Sequence, residues 1–475
     1  MRINATKQDR IWSLAGIILS MGANFLVLPV ILLYLDDEAI GLYYIFTSIG
    51  AVTALFDFGF SPSIARSMAY AWSGAEKLVP DGASPQAKDA PNYVLMKRII
   101  RTCKLIYLGL SCCALLLALT AGTIYISSIT ASLKGYVHYI AWLVYAAAIF
   151  FNLLYGYYTV YLRGVGAVAD VNKAMVISRC IQIVSCSILL IMGTGLVGVA
   201  IAHLGYGLMF RLIAKNKFYR YKGIGEKIES VRLTKEQYTI KEILWAIWPN
   251  AWRDGLVTLS KYLLNQATTI VASLYLSLAD TGVYSLCVQL TTAIATIAGA
   301  FLSAYLPSLQ SAFINRDVEK QKSILSLVVC SYISFEIIGA LGMMLVCIPV
   351  IHMLKPTYRI SILLFLLVGF YQFILKFINC YSTYISTTNR LIYARSFIVS
   401  SIACVVLSVA FAGGLKLGVY GLVAAQILSQ IAYCAWKWAL FVHRELNISP
   451  YFMIRLGFAE MRNLVPRFRK SVVDN

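Results

Sequence analysis

Long apolar runs separated by short polar turns dominate this chain, and each run matches the ~20 residues that a helix needs to cross a hydrocarbon core. Such windows fall near 11 to 35, 41 to 62, 105 to 127, 137 to 161, 174 to 193, 196 to 214, 250 to 277, 282 to 306, 323 to 350, 361 to 385, 396 to 412 and 418 to 441. The pattern predicts an all-α, polytopic membrane protein of about twelve transmembrane helices. Composition supports this reading, with 60% hydrophobic residues, 13% charged residues and a mean hydropathy of +0.74 over 475 residues. No soluble core buries so much apolar surface.

The polar segments sort by charge. Arg2, Lys7 and Arg10 precede the first run, and Lys77, Lys88, Lys97, Arg98, Arg101 and Lys104 follow the second. Arg163, Lys173 and Arg179, the central Arg211 to Lys241 segment, Arg316 to Lys322, Arg390 and Arg395, and the basic tail from Lys437 to Lys470 lie on the same side. The opposite turns carry only Lys134, Lys355, Arg359 and Lys416. The positive-inside rule then places both termini in the cytoplasm, as expected for a multi-pass inner-membrane protein. The net charge of +20 is explained by topology and lipid contact, so no nucleic-acid partner is expected. The eleven cysteines fall in predicted helices or on the cytoplasmic side, where thiols stay reduced. The first apolar run lacks a small-x-small cleavage signal and resembles a retained helix.

The second feature is an internal repeat. LYLDDEAIGLY (Leu33 to Tyr43) matches LYLSLADTGVY (Leu274 to Tyr284) at a constant offset of 241 residues. Tyr161/Tyr384, Gly195/Gly418, Gly198/Gly421 and Ala202/Ala425 match at an offset of 223, and a longer loop from about Ser73 to Lys97 in the first copy accounts for the difference. Six helices per copy bring both copies into the membrane in the same direction. The expected organisation is an N-terminal six-helix bundle over 1–214, a basic linker over 215–241, a C-terminal six-helix bundle over 242–441 and a basic cytoplasmic tail over 442–475. The two bundles are expected to be parallel-related around a central cavity, with rocking between them giving alternating access.

Ionisable groups inside the apolar runs are costly, on the order of 3 kcal/mol each, unless they face water, a partner or a ligand. The cations are Arg66, Arg253, Lys261 and Lys376. On the seventh helix, Asp254, Thr258, Lys261, Asn265 and Thr268 recur at helical spacing, and this face is expected to line a polar cavity. Arg253 and Asp254 also fit a role in stabilising the bundle. Asp57 precedes Gly59 and Pro62, where a bend is expected, and fits proton uptake, Na⁺ binding or a contact to Arg66. Arg66 itself suits a snorkelling anchor. Glu336 and Lys376 lie at similar depths, as an ion pair or a coupling site. His203, Asn24, Asn152, Gln182 and Gln289 read as interhelical hydrogen-bonders. Tyrosine-rich YGYYTVY (Tyr155 to Tyr161) suits an interfacial belt or stacking on sugar faces. No phosphate-binding G-x-x-x-x-G-K-[ST] loop and no metal-ligand spacing occurs, so neither ATP hydrolysis, a cofactor nor a metal is expected.

The twelve-helix layout in two sixes, the FDFGFSPSIAR end of helix two and the paired repeat windows resemble a polysaccharide transporter of the multidrug/oligosaccharidyl-lipid/polysaccharide exporter superfamily, in particular an O-antigen flippase. The resemblance covers nearly the whole chain. It implies movement of an undecaprenyl-pyrophosphate-linked oligosaccharide to the periplasmic leaflet through a cavity lined by helices one, two, seven and eight, and no enzymatic activity. It also implies cavity cations, which carry over to Arg253 and Lys261 and more weakly to Lys376. An anionic pyrophosphate suits such a lining, and sugars suit Asn265 and its neighbours. Ion coupling to H⁺ or Na⁺ would use an acid such as Asp57 or Glu336. Membrane lipids and other glycan-assembly membrane proteins are the expected partners. The competing readings are a multidrug exporter, which wants an acidic cavity, and an integral-membrane polymerase or acyltransferase, which wants a large outer loop or a His/Asp centre.

Overall fold

The computed structural model describes residues 26–57, 59–79, 82–83, 90–133, 135–231, 240–387 and 392–473. Two compact units, Met1–Tyr262 and Leu263–Asn475, divide the chain. The first contains α1 (26–34), α2 (Asp37–Gly50), α3 (Thr53–Asp57), α4 (Phe60–Trp72), α5 (Tyr93–Leu117), α6 (Thr123–Ile129), α7 (Val137–Leu154), α8 (Tyr157–Gly164), α9 (Val168–Ile191), α10 (Gly195–Arg220), α11 (Ile224–Ser230) and most of α12 (Ile240–Asn265). A two-residue antiparallel pairing, β1 (Leu78–Val79) with β2 (Gly82–Ala83), follows α4. The second unit contains the end of α12 and α13 (Ala267–Tyr275), α14 (Leu278–Ala298), α15 (Ala300–Ile314), α16 (Val318–Gly342), α17 (Ile348–Leu354), α18 (Ile362–Thr387), α19 (Ala394–Val409), α20 (Gly418–Ile431), α21 (Cys434–Glu445) and α22 (Pro450–Val473).

Among the described residues, ten helical stretches are long and apolar enough to cross a membrane. Their outer faces carry exposed Leu116, Ile124, Ile191, Ile338, Leu345 and Val399, which water would disfavour and lipid tails accept. The protein is therefore an all-α, multi-pass membrane protein. The expected span near 11 to 35 lies mostly outside the described residues. The span near 250 to 277 is not one helix: it breaks at Gln266, between α12 and α13. The span near 41 to 62 breaks between Gly50 and Phe60, and that near 137 to 161 breaks at Tyr155 and Gly156.

The local structure repeats with the sequence. Leu35 N–H donates to the Ile31 carbonyl, and Leu276 N–H to Ala272, 241 residues later. One residue beyond each, Asp36 and Ser277 cap the next helix, their side chains accepting from Ala39 N and Asp280 N. Each such cap supplies an acceptor to an orphan helix-end N–H and contributes about 1 kcal/mol. Further on, Asn92 and Asp317 cap α5 and α16 in the same way. A π-helical turn then interrupts each of those helices, at Ala118–Gly122 and at Met343–Cys347. Gly193 and Gly195 both take positive φ in the turn before α10; Lys416 and Gly418 do so before α20. A duplicated skeleton of caps, π turns and left-handed turns thus underlies the two halves.

Close approaches fix the packing. A Cβ on Gly164 would lie 2.7 Å from the Ala65 carbonyl oxygen, so only glycine lets α8 meet α4. In the second unit α22 lies along α16, with the Ser323 hydroxyl donating to Glu460 at 2.8 Å. Buried Tyr332, Tyr384, Trp438 and Val442 belong to one apolar core there. Tyr384 Oη donates to Gln321 at 3.1 Å, which gives a buried hydroxyl its partner. All eleven cysteines are free thiols.

Candidate functional site

Polar side chains gather at three places, each within one unit. The first is the break in helix two. Gly59, at φ +74, lets the chain turn between α3 and α4. Asp57, just before the turn, accepts from the backbone N–H of Ser61 at 3.2 Å and from its hydroxyl at 2.9 Å. Tyr107, on α5, donates a further short hydrogen bond to the same carboxyl. The carboxyl therefore sits at the N-terminal end of α4 and accepts three hydrogen bonds there. Among the described residues Asp57 is hydrogen-bonded to Ser61 and Tyr107 and makes no ion pair with Arg66. Arg66 is exposed, and its guanidinium donates to Ser63 at 3.1 Å.

The second place lies among α2, α7, α9 and α10, and the pattern of charged turns does not reveal it. Arg179 and Arg211 were assigned to cytoplasmic turns, although the predicted spans 174 to 193 and 196 to 214 enclose them. The structure puts Arg179 in the middle of α9 and Arg211 on α10. Arg179 donates to Gln182 at 2.8 Å, and its guanidinium lies 4.1 Å from the centre of the Tyr206 ring. Arg211 lies 4.8 Å from the centre of the Phe210 ring. The two guanidiniums repel one another, and both act on His203, which stacks on Tyr145 with centroids 4.7 Å apart. Tyr43 also lies within the field of Arg179. The usable signal was helical spacing: Arg179, Gln182 and Cys186 share one face of α9, and His203, Tyr206 and Phe210 one face of α10.

The third place is in the second unit. Glu336, on α16, is buried, with one carboxyl oxygen lacking a hydrogen-bond partner among the described residues. It lines a cavity of about 260 Å³ between α14, α16 and α18, walled by Ile294, Ile333, Phe365 and Phe370. Lys376 on α18 attracts this carboxylate. Nearby in the same unit is a neutral network: Gln426 donates to Tyr284 Oη at 2.5 Å, and Tyr284 donates to Thr268 at 3.2 Å.

The expected stripe on the seventh helix is only partly one surface. Lys261 is exposed and Asn265 half-buried on α12, but the break at Gln266 turns Thr268 into the buried network with Tyr284. Arg253 and Asp254 lie on α12; their side chains fall outside the described residues. Among the described residues, no three His, Cys, Asp or Glu side chains converge as metal ligands.

Helices, repeats and intramembrane charge together define a transporter-type fold. The chain is similar to an inward-facing multidrug-resistance transporter of the MATE family within the MOP superfamily, at 17% identity over 93% of this chain and 99% of that one, TM-score 0.64. It is also similar to the lipid II flippase MurJ in an inward closed conformation, at 16% identity over 97% of this chain and 92% of that one, TM-score 0.61. An outward-facing MATE transporter matches at 17% identity over 93% and 95%, TM-score 0.54. These likenesses establish the fold. Residues 6–313 match the family of polysaccharide biosynthesis proteins, and the chain belongs to that family. No curated protein matches the chain by sequence.

Proposed function

We propose that this protein flips an undecaprenyl-pyrophosphate-linked oligosaccharide, such as an O-antigen repeat unit, from the cytoplasmic to the periplasmic leaflet of a bacterial inner membrane. The observation that carries this reading is the membership of a polysaccharide-biosynthesis family by a chain with a membrane-transporter fold. The resemblance in fold to a lipid II flippase adds support, because lipid II flipping also moves a lipid-linked sugar. Both termini face the cytoplasm in this proposal, on the charge asymmetry of the turns. The bundles 1–214 and 242–441 alternate access to a cavity between them, the basic linker and tail staying cytoplasmic. Arg253, Lys261 and Lys376 meet the pyrophosphate, Asn265 the sugars, and Arg66 the headgroup region. Asp57, Asp254 or Glu336 takes the coupling H⁺ or Na⁺.

Deletion of the gene tests this directly. Surface glycan should fall to background while the lipid-linked repeat unit accumulates inside, and Lys261→Glu together with Arg253→Glu should reproduce the loss at normal protein levels. Unaltered glycan in the deletion strain rules the proposal out. A multidrug exporter is the second reading, favoured by the Glu336 cavity, whose apolar walls and single acid suit a hydrophobic cation. A deletion strain that gains drug sensitivity and keeps its glycan would select it.

A further inference from the structure

Two guanidiniums share the interior of the first unit without a counter-charge. Arg179 and Arg211 have no carboxylate partner among the described residues, and the Nε–H of each is buried without any hydrogen-bond acceptor. Four further side chains surround them. Tyr206 carries the Arg179 guanidinium on its ring face and interacts electrostatically with Arg211. Gln182 accepts from one terminal nitrogen of Arg179, leaving its other donors available. His203 on α10 and Tyr43 on α2 lie within the electrostatic reach of Arg179, and His203 also of Arg211. Both arginines lie about 18 to 24 Å along their helices from the turn 192–194 that joins α9 to α10, so they sit at similar depth inside spans that lipid surrounds.

Such an arrangement is unfavourable as mere packing. A half-buried guanidinium at membrane depth without an acid costs on the order of 3 kcal/mol, and a second one acting on it adds repulsion. Ring-face contacts recover only about 0.5 to 2 kcal/mol each. The missing component is an anion. A single carboxylate would leave one positive charge uncompensated, whereas a phosphate or pyrophosphate group brings about two negative charges and several acceptor oxygens. Its oxygens also suit the planar fork of guanidinium donors.

We propose that Arg179 and Arg211, with Tyr206 and Gln182 positioning Arg179, form a binding site for a phosphate- or pyrophosphate-type dianion inside the first unit. The inference rests on the reading of the chain as a carrier of a pyrophosphate-linked lipid, and it supplies that substrate with a station between α9 and α10.

The test uses the full chain in nanodiscs of phosphatidylcholine. Phenylglyoxal modification of arginines is followed peptide by peptide, with exposed Arg163 and Arg455 as internal references. Three arms are compared: no addition, inorganic pyrophosphate, and a short-chain polyprenyl pyrophosphate. Arg179 and Arg211 are expected to react in the first arm and to be protected about ten-fold or more by the polyprenyl pyrophosphate, the references being unchanged. Protection by inorganic pyrophosphate as well would identify the free anion as sufficient; protection by the lipid alone would identify the lipid-linked group. Either supports the site. Failure of both additions to protect, or inertness of both arginines in the first arm, overturns it.

Binding affinity provides the second readout. Arg179→Gln and Arg211→Gln should each weaken polyprenyl pyrophosphate binding about ten-fold or more, the size expected for one charge-assisted hydrogen bond. Arg179→Lys and Arg211→Lys, which keep the charge but lose the fork, should fall between. If the double Gln variant folds and binds with unchanged affinity, the arginines are structural. Loss of glycan export on gene deletion together with unchanged binding in these variants would leave the transport proposal standing and remove this site alone.

Discussion

The two halves of the molecule carry the same polar position with opposite contents. At the repeat offsets, Tyr43 and His203 of the first unit correspond to Tyr284 and Gln426 of the second. In the second unit these form a buried neutral chain, Gln426 to Tyr284 to Thr268, with the Gln426 side-chain oxygen left without a partner among the described residues. In the first unit the same position lies beside Arg179 and Arg211, whose counterparts are Ile402 and Cys434. At this position one half holds a neutral hydrogen-bonded chain, and the other holds two arginines without a carboxylate partner among the described residues. Capping residues recur in both halves, because any copy of this fold must satisfy its helix ends. The interior polar groups differ, as expected if only the first copy holds the proposed anion there.

Exchanging residues between the copies tests how deep that likeness goes. The largest expected effect is at Gly164, whose counterpart is Thr387. A Cβ at Gly164 would meet both the Ala65 carbonyl oxygen and the Met68 Cβ at 2.7 Å, and neither backbone nor a Cβ withdraws easily. Gly164→Thr should therefore cost about 3 kcal/mol or more by forcing α8 from α4. The check is thermal unfolding in detergent, together with the folded yield. A variant as stable as the parent would show that the first copy tolerates the second copy's spacing.

Next in size is Asp57, which corresponds to Ala298. Asp57→Ala removes the acceptor for Ser61 N–H, Ser61 Oγ and Tyr107 Oη, and should cost about 2 to 3 kcal/mol. Asp57→Asn keeps one acceptor oxygen and should cost about 1 kcal/mol. The pair separates anchor from coupler. If Asp57→Asn is nearly as stable as the parent but loses the ion dependence of transport, the carboxyl couples. If stability falls and the ion dependence survives, Asp57 serves only to hold α4 to α5 at the break.

Much of this architecture is legible in the sequence, for identifiable reasons. Transmembrane helices announce themselves because lipid requires apolar runs of fixed length. The repeat is visible because turn glycines such as Gly195 and Gly418 serve a backbone geometry few other residues adopt. The bend at Gly59 is readable for the same reason. Breaks at Gln266 and at Tyr155 were not, because no Pro or Gly–Pro signal marks Gln266 and tertiary packing sets both. Arg179 and Arg211 were hidden by the charge rule itself. Counting cations by nearest turn gives orientation, and it assigns to the surface any arginine that lies two or three turns inside a helix. Nor does the sequence reveal that Glu336 faces an apolar cavity, since helical periodicity gives a face but not which neighbour covers it.

The smallest expected effects belong to the paired caps. Asp36 accepts from Ala39 N at 2.9 Å, and Ser277 from Asp280 N at 3.1 Å. Removing either acceptor leaves a helix-end N–H without its side-chain partner at the exposed turn before the next span. Asp36→Ala and Ser277→Ala should each lower stability by about 1 kcal/mol, and the glycine variants by only a few tenths. Ser277 has a second bond, its hydroxyl donating to Asp280 at 2.6 Å, so its loss should be the larger of the two by a small margin. Thermal midpoints measured side by side decide the matter. Near-equal losses mean that duplication preserved the kink as a working joint in both halves. A measurable loss at one cap and none at the other would mean that the copies have parted even in their skeleton, and that the asymmetry of the two interiors extends to how each half bends.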